Sequence, residues 1–167
     1  MTDIVQYKSP KLVCYHEAGH AISALHVGAR VVEMELYLSP PPAHGRTRIE
    51  RDEAQRRIIA LGGFAIERRL WEESRLVWSD NRRPTEKEML EESANNAEID
   101  RISYFGSDQC TESGKWPHQL DLEFMTAARD LGKRLDINSI ERLASALLVE
   151  HRLDEAKIRE IVLRDLQ

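Results

Sequence analysis

The sequence predicts a mainly α-helical domain with a small β segment beside its first helix and a helical hairpin at its C-terminal end. Three observations carry that expectation. Apolar residues fill most of the circumference of the segment after Ser9-Pro10, a short stretch after Gly28 alternates with period two, and the C-terminal third is a succession of capped, amphipathic helical patterns.

Each element can be justified in turn. Ser9 is a natural N-cap, and Pro10 fits the first helical position. Leu12, Val13, Ala18, Ala21, Ile22, Ala24, Leu25 and Val27 then surround the axis, so a buried helix is expected to end near Gly28. Val31, Val32, Met34, Leu36 and Leu38, interleaved with Glu33, Glu35 and Tyr37, form a strand over 31–38. The Ser39 to Gly45 run, with three prolines, breaks the ladder, and Arg46 to Ile49 can return as a second strand. Asp52 can cap a second helix reaching about Glu72. Gly62 and Gly63 inside it cost about 1 kcal/mol each in propensity, a cost offset where another backbone packs closely, and the first helix is the natural neighbour.

Residues 74–117 are polar and weakly periodic, with one helix expected after the Thr85/Glu88 capping box; the segment reads as a lid, an interaction surface or a solvated insertion. Leu120, Phe124, Ala127, Ala128, Leu131 and Leu135 trace the next helix. Asn138 with Glu141 has capping-box spacing for another, and Asp154 can cap the last. The 167 residues fit one domain, 1–167.

Composition excludes several functions. The formal charge is −5 with both signs interspersed, so no basic stripe offers itself to nucleic acid. The longest mildly apolar stretch, Ala21 to Val32, is interrupted by His26, Gly28 and Arg30 and falls short of the roughly 20 residues of a spanning helix, so no membrane insertion is expected. Two distant cysteines, Cys14 and Cys110, do not make a disulfide framework, which suits a reducing cytoplasm.

The chemistry concentrates in His16-Glu17-Ala18-Gly19-His20. Histidines four apart lie one helical turn from each other and about 40° around the axis, so both imidazoles can reach one ion, and tetrahedral zinc suits them. Glu17 flanks that face, where its carboxylate can take a proton from metal-held water and pass it to a leaving amine, as a general base in peptide hydrolysis. Two hydrogen-bonded core histidines would be the bland alternative, but a glutamate would then share their apolar surroundings. The residues alone leave the third zinc ligand open. His26 has the spacing of a third histidine, although Ser23 stands where a chain-turning glycine is needed. Glu67 on the second helix could ligate zinc or orient a ligand histidine. Asp121 opens an apolar helix and could equally be a helix-dipole feature.

In order along the chain, Tyr15 to Ala21 (YHEAGHA), Leu61 to Glu67 (LGGFAIE) and Asp121-Leu122 with Thr126 resemble the zinc helix, the LGGRAAE segment and the NDLxxAT helix of the FtsH family of ATP-dependent zinc metallopeptidases. The closing segments, Ala146 to Leu153 and Ile158 to Val162, are similar to that family's final hairpin. The resemblance implies a zincin-type peptidase domain with Zn2+ on His16, His20 and Asp121, Glu17 as base, and residues 31–38 or 46–49 pairing with an extended substrate. Phe64, Leu120 and Met125 depart from the family's arginine, asparagine and alanine, and His118, one turn before Asp121, is a substitute ligand. A hexameric family ring makes homo-oligomerisation worth testing. With neither a GxxxxGK[ST] loop nor a spanning segment, the expected activity is an ATP-independent metalloendopeptidase acting on peptides or unfolded protein segments. The competing expectation is a regulatory adaptor that keeps the zinc site and binds a protein partner, against which the retained Glu17 argues.

Overall fold

The computed structural model describes residues 3–106 and 118–163. Among them the chain runs β1 (Val5–Gln6), α1 (Pro10–His26), β2 (Arg30–Tyr37), β3 (His44–Glu50), a 3-10 turn (Glu53–Gln55), α2 (Arg56–Glu72), β4 (Leu76–Val77), α3 (Glu86–Asn96), α4 (Glu98–Phe105), α5 (His118–Gly132), α6 (Ile137–Glu150), β5 (Arg152–Asp154) and α7 (Glu155–Leu163). The architecture is thus mainly helical with a small sheet. No helix among the described residues is long and apolar enough to cross a membrane.

Helix α1 is the central element, packed against α2, α6, β2 and β3. The Ser9 side chain accepts from the Leu12 amide at 3.2 Å, and Pro10 begins the helix, satisfying one of the unpaired N-terminal donors and fixing the entry angle. Gly28, at φ +77°, lets the chain leave the far end in a conformation that a side chain would strain. The crossing of α1 with α2 depends on missing side chains. A Cβ on Gly62 would lie 2.5 Å from the Gly19 carbonyl oxygen, and one on Gly19 would lie 2.3 Å from the Gly62 oxygen. The two backbones therefore touch at this point, which accounts for glycine inside both helices.

Strands β2 and β3 form an antiparallel pair running from Arg30 opposite Glu50 to Tyr37 opposite His44, with a register irregularity between Val31 and Glu33. The sheet order is β3-β2-β5, so β3 is an edge. Its Gly45, Thr47 and Ile49 are half-buried while His44, Arg46, Arg48 and Glu50 point outward. The third strand, β5, lies within the C-terminal hairpin and pairs Leu153 with Met34, locking that hairpin onto the sheet. A separate two-stranded parallel pair joins β1 to β4.

Within segment 74–117, the described residues 74–106 depart from the expected single helix. Thr85 and Glu88 do cap α3, but Ala97 ends it and a second, eight-residue helix, α4, follows. At α6 the cap is Asp136 rather than Asn138: its carboxylate accepts from the Asn138 and Ser139 amides at 3.1 and 3.2 Å, so the helix begins earlier than the Asn138/Glu141 spacing suggests. Asp154 caps α7 by accepting from the Lys157 amide at 2.8 Å. Phe64 is fully buried and packs on Phe124 of α5 at 5.4 Å between ring centroids.

Candidate metal and catalytic site

His16 and His20 face the α1–α2 crossing. Helix α2 leaves room for the first ring: a Cβ on Gly63 would sit 2.3 Å from His16 Cε1 and Nε2. The outer nitrogen of each imidazole is fixed by the same helix. His16 Nδ1 lies 2.7 Å from Glu67 Oε1, and His20 Nδ1 lies 2.8 Å from the Ile59 carbonyl oxygen. A carbonyl accepts only, and so does an ionised carboxylate, so both Nδ1 atoms carry their protons and donate. Glu67 is itself held by the buried Ser93 hydroxyl, which donates to Oε2 at 2.9 Å.

These bonds have a consequence for the inner nitrogens. In neutral rings, Nε2 of both histidines then presents a lone pair, and the two atoms lie 3.0 Å apart. Asp100 of α4 faces both: Oδ2 is 3.2 Å from His16 Nε2 and Oδ1 is 3.4 Å from His20 Nε2. Three acceptors converge in a largely buried place, an arrangement that requires a cation or added protons between them. Burial lowers the proton affinity of the two histidines, but the Asp100 carboxylate beside both, together with Glu67 beside His16, outweighs it and holds them above their ordinary values. Burial pushes Asp100 in the opposite direction, yet the two imidazoles keep its carboxyl well below the usual carboxylate range.

The donor set fits zinc. Two imidazoles and a carboxylate are a standard three-ligand combination, and bonds of about 2.0–2.2 Å in tetrahedral geometry put ligand atoms about 3.3–3.6 Å apart, close to the 3.0 Å between the two Nε2 atoms and to the 3.2 and 3.4 Å from them to the two Asp100 oxygens. Among the described residues, His16, His20 and Asp100 are the one group of three such side chains whose ligand atoms converge, all within 4.8 Å of one another.

Asp121 is not brought to this group. From the first turn of α5 its carboxylate accepts from Arg101 Nη1 at 2.8 Å, and Arg101 follows Asp100 directly on α4. Among the described residues the carboxylate that converges with the two histidines is Asp100, whereas the resemblance implied Asp121; Asp121 instead pairs with Arg101, the next residue on the helix that carries Asp100. His26 is exposed at the last turn of α1, away from the cluster, and the side chain of His118 lies outside the described residues, as does Cys110. Asp100 did leave a local signal. It lies three residues after buried Ala97 and four before buried Tyr104, so it is a carboxylate on the apolar face of a short helix.

Glu17 is buried beside the histidines at 8% exposure. The Thr47 hydroxyl of β3 lies 2.6 Å from Glu17 Oε2 and 3.3 Å from the Glu17 carbonyl oxygen, tying the acid to the edge strand. Gly45, two residues earlier on the same face, leaves the space the Glu17 side chain needs, since a Cβ there would meet Glu17 Cγ at 2.4 Å. Two cavities meet at this centre. One, of about 600 Å³, is walled by Leu12, Val13, Pro42, Ala43 and Ile99, with Lys8 and Arg46 at hand. The other, of about 210 Å³, lies toward the C-terminal end of β3 and is walled by Ile49, Arg51, Arg56, Ile59 and Ser103. Glu17, His20, Thr47 and Asp100 belong to both. A comparison with protein-family models and with the curated proteins returns no match.

Proposed function

We propose that the protein is a zinc-dependent metallopeptidase of zincin type, with the ion held by His16, His20 and Asp100 and with Glu17 as the general base. The observation that carries the reading is the convergence of three acceptor atoms whose outer partners fix the histidine tautomers, next to a buried glutamate and at the junction of two cavities. When bound, zinc would supply a Lewis acid that polarises the scissile carbonyl and acidifies water. Glu17 accepts the proton of the attacking water and returns it to the departing amine. Thr47 holds one Glu17 oxygen, and the other is the one that would take the proton. Glu67 and the Ile59 carbonyl keep both ring nitrogens aimed inward.

Edge strand β3 supports peptides or unfolded protein segments as the substrate class. Its backbone has β2 on one side only among the described strands, and an extended peptide can add to the other side with main-chain hydrogen bonds. A folded substrate would have to yield an extended segment first. The resemblance of the YHEAGHA and LGGFAIE segments to FtsH-type peptidases agrees with this assignment.

The test uses the zinc-loaded protein with an unfolded substrate such as casein. Cleavage by the parent and its loss in Glu17→Gln, with zinc still bound one per chain, is the expected result. Intact substrate in the parent at full zinc occupancy, or equal cleavage by Glu17→Gln, overturns the reading, and capture of a partner at unchanged length would favour the adaptor.

A further inference from the structure

We infer that Arg51 and Arg56 form a carboxylate-recognising subsite that favours peptides with Asp or Glu shortly before the scissile bond, an inference that rests on the peptidase reading. The smaller cavity reaches from Glu17 and His20 to these two guanidinium groups. Both arginines pair with one carboxylate, Glu53, at 3.8 Å from Arg51 Nη1 and 2.5 Å from Arg56 Nε. Glu53 is largely exposed, 78% for its side chain, and this one carboxylate is shared between two guanidinium groups. Arg56 is further anchored by the Ser103 carbonyl oxygen of α4, which holds its guanidinium at the cavity wall. The acidic groups in the same cavity are already engaged, Glu17 by Thr47 and Asp100 by the two histidines. A substrate carboxylate suits the two guanidinium groups, which share a single carboxylate between them.

Strand polarity gives the subsite its position along the substrate. β3 runs from His44 beside the apolar cavity, past Thr47 at the centre, to Glu50 and then Arg51. A peptide adding antiparallel to it, the more stable pairing per residue, runs the opposite way. Its residues near Ile49 and Arg51 therefore precede the scissile bond, and those near Ala43 and Gly45 follow it. At about 3.4 Å per residue, the four residues from Thr47 to Arg51 set the acidic preference within about four positions before the bond. The opposite, apolar cavity takes the residues after it.

The experiment compares the zinc-loaded full chain on matched fluorogenic peptides that differ only by Glu, Gln or Lys at each of those positions, with the cleaved bond located by mass spectrometry. Expected is a kcat/KM for the best Glu peptide about five- to tenfold above its Gln counterpart, with Lys lowest, the magnitude of a charged hydrogen-bonded pair that is partly exposed. The ratio shrinks at about 0.5 M salt as the charges are screened. Arg51→Gln brings the Glu/Gln ratio toward one, and Arg51→Glu reverses the order of Glu and Lys. Equal cleavage of all three peptides, a preference that survives both variants, or an acidic preference located after the bond overturns the subsite. Cleavage of none of them at one zinc per chain is a different failure, that of the peptidase reading itself.

Discussion

Replacing Asp100 and Asp121 separately by asparagine tests the ligand set most directly, because the two residues are close in chemistry and opposite in placement. One Asp100 carboxylate faces both histidines, 3.2 Å from His16 Nε2 and 3.4 Å from His20 Nε2. Asp100→Asn would remove the anionic ligand and leave two imidazoles. Loss of a residue that merely orients a zinc ligand weakens binding about 10- to 100-fold, so removal of a ligand itself sets a lower bound of about 100-fold. At a free zinc concentration of about 1,000 times the parent Kd, zinc stabilises the parent by about 4.1 kcal/mol, and a 100-fold weaker site at the same concentration gives only about 1.4 kcal/mol. Asp121→Asn loses the charge that meets Arg101 but no atom near the histidines, and its zinc affinity is expected to fall less than tenfold. Competition with a chromophoric chelator measures both affinities, and chemical denaturation with and without zinc measures the stabilisation. If Asp121→Asn loses zinc while Asp100→Asn retains it, the assignment of the third ligand is refuted.

Three further outcomes follow from individual contacts. Gly63→Ala places a methyl group 2.3 Å from the His16 ring, so zinc affinity should fall at least tenfold even though alanine favours the helix by about 1 kcal/mol; unchanged affinity in the chelator assay would count against the ring position. Ser93→Ala leaves Glu67 in place but removes one of its donors, and should weaken zinc less than Glu67→Gln does, with Glu67→Gln in the 10- to 100-fold range; the reverse order by the same titration would contradict the Ser93 to Glu67 to His16 chain. Asp136→Ala should cost about 1 kcal/mol of unfolding free energy at pH 7 through loss of the α6 cap, measured by urea denaturation across pH. The Ser139 hydroxyl, against the opposing effect of burial and with help from the Asn138 and Ser139 amides and Arg142, lowers the Asp136 proton affinity in the folded state. The cap's contribution is therefore complete above the unfolded value of 3.8 and is lost as pH falls through the lower folded value, so the variant and the parent should converge in strong acid.

The sequence made some elements legible and hid others for identifiable reasons. Helix α1 was readable because Ser9-Pro10 and Gly28 mark both ends and its apolar residues leave no solvent face. The Gly62-Gly63 pair announced a close neighbour, and Gly19 and His16 are what lie against it. The expected alternation holds at Met34 and Leu36, but Leu38 lies exposed beyond the end of β2, and β5 has three residues, too few for a period to show, and pairs with β2. Asn138 was a plausible cap by spacing, but Asp136 reaches the same amides from outside the helix. Asp121 drew attention through a family pattern, and Asp100 stood in a stretch whose overall polarity concealed an eight-residue amphipathic helix.

That short helix explains why the third acidic group is hard to read from local patterns. Asp100 and Arg101 are consecutive and point to different partners, one to the two histidines and the other to Asp121. A helix of two turns has little stability by itself. Its placement comes from packing on α2 and α3, from the Arg56 contact to the Ser103 carbonyl and from the Arg101–Asp121 pair. An ion shared by α1 and α4 would add a further link between them, so metal binding and the docking of α4 would stabilise each other. The Asp121 carboxylate thereby acts on the site without touching it: weakening it loosens the helix that presents Asp100, a smaller effect than losing Asp100 and one that saturating zinc should largely restore.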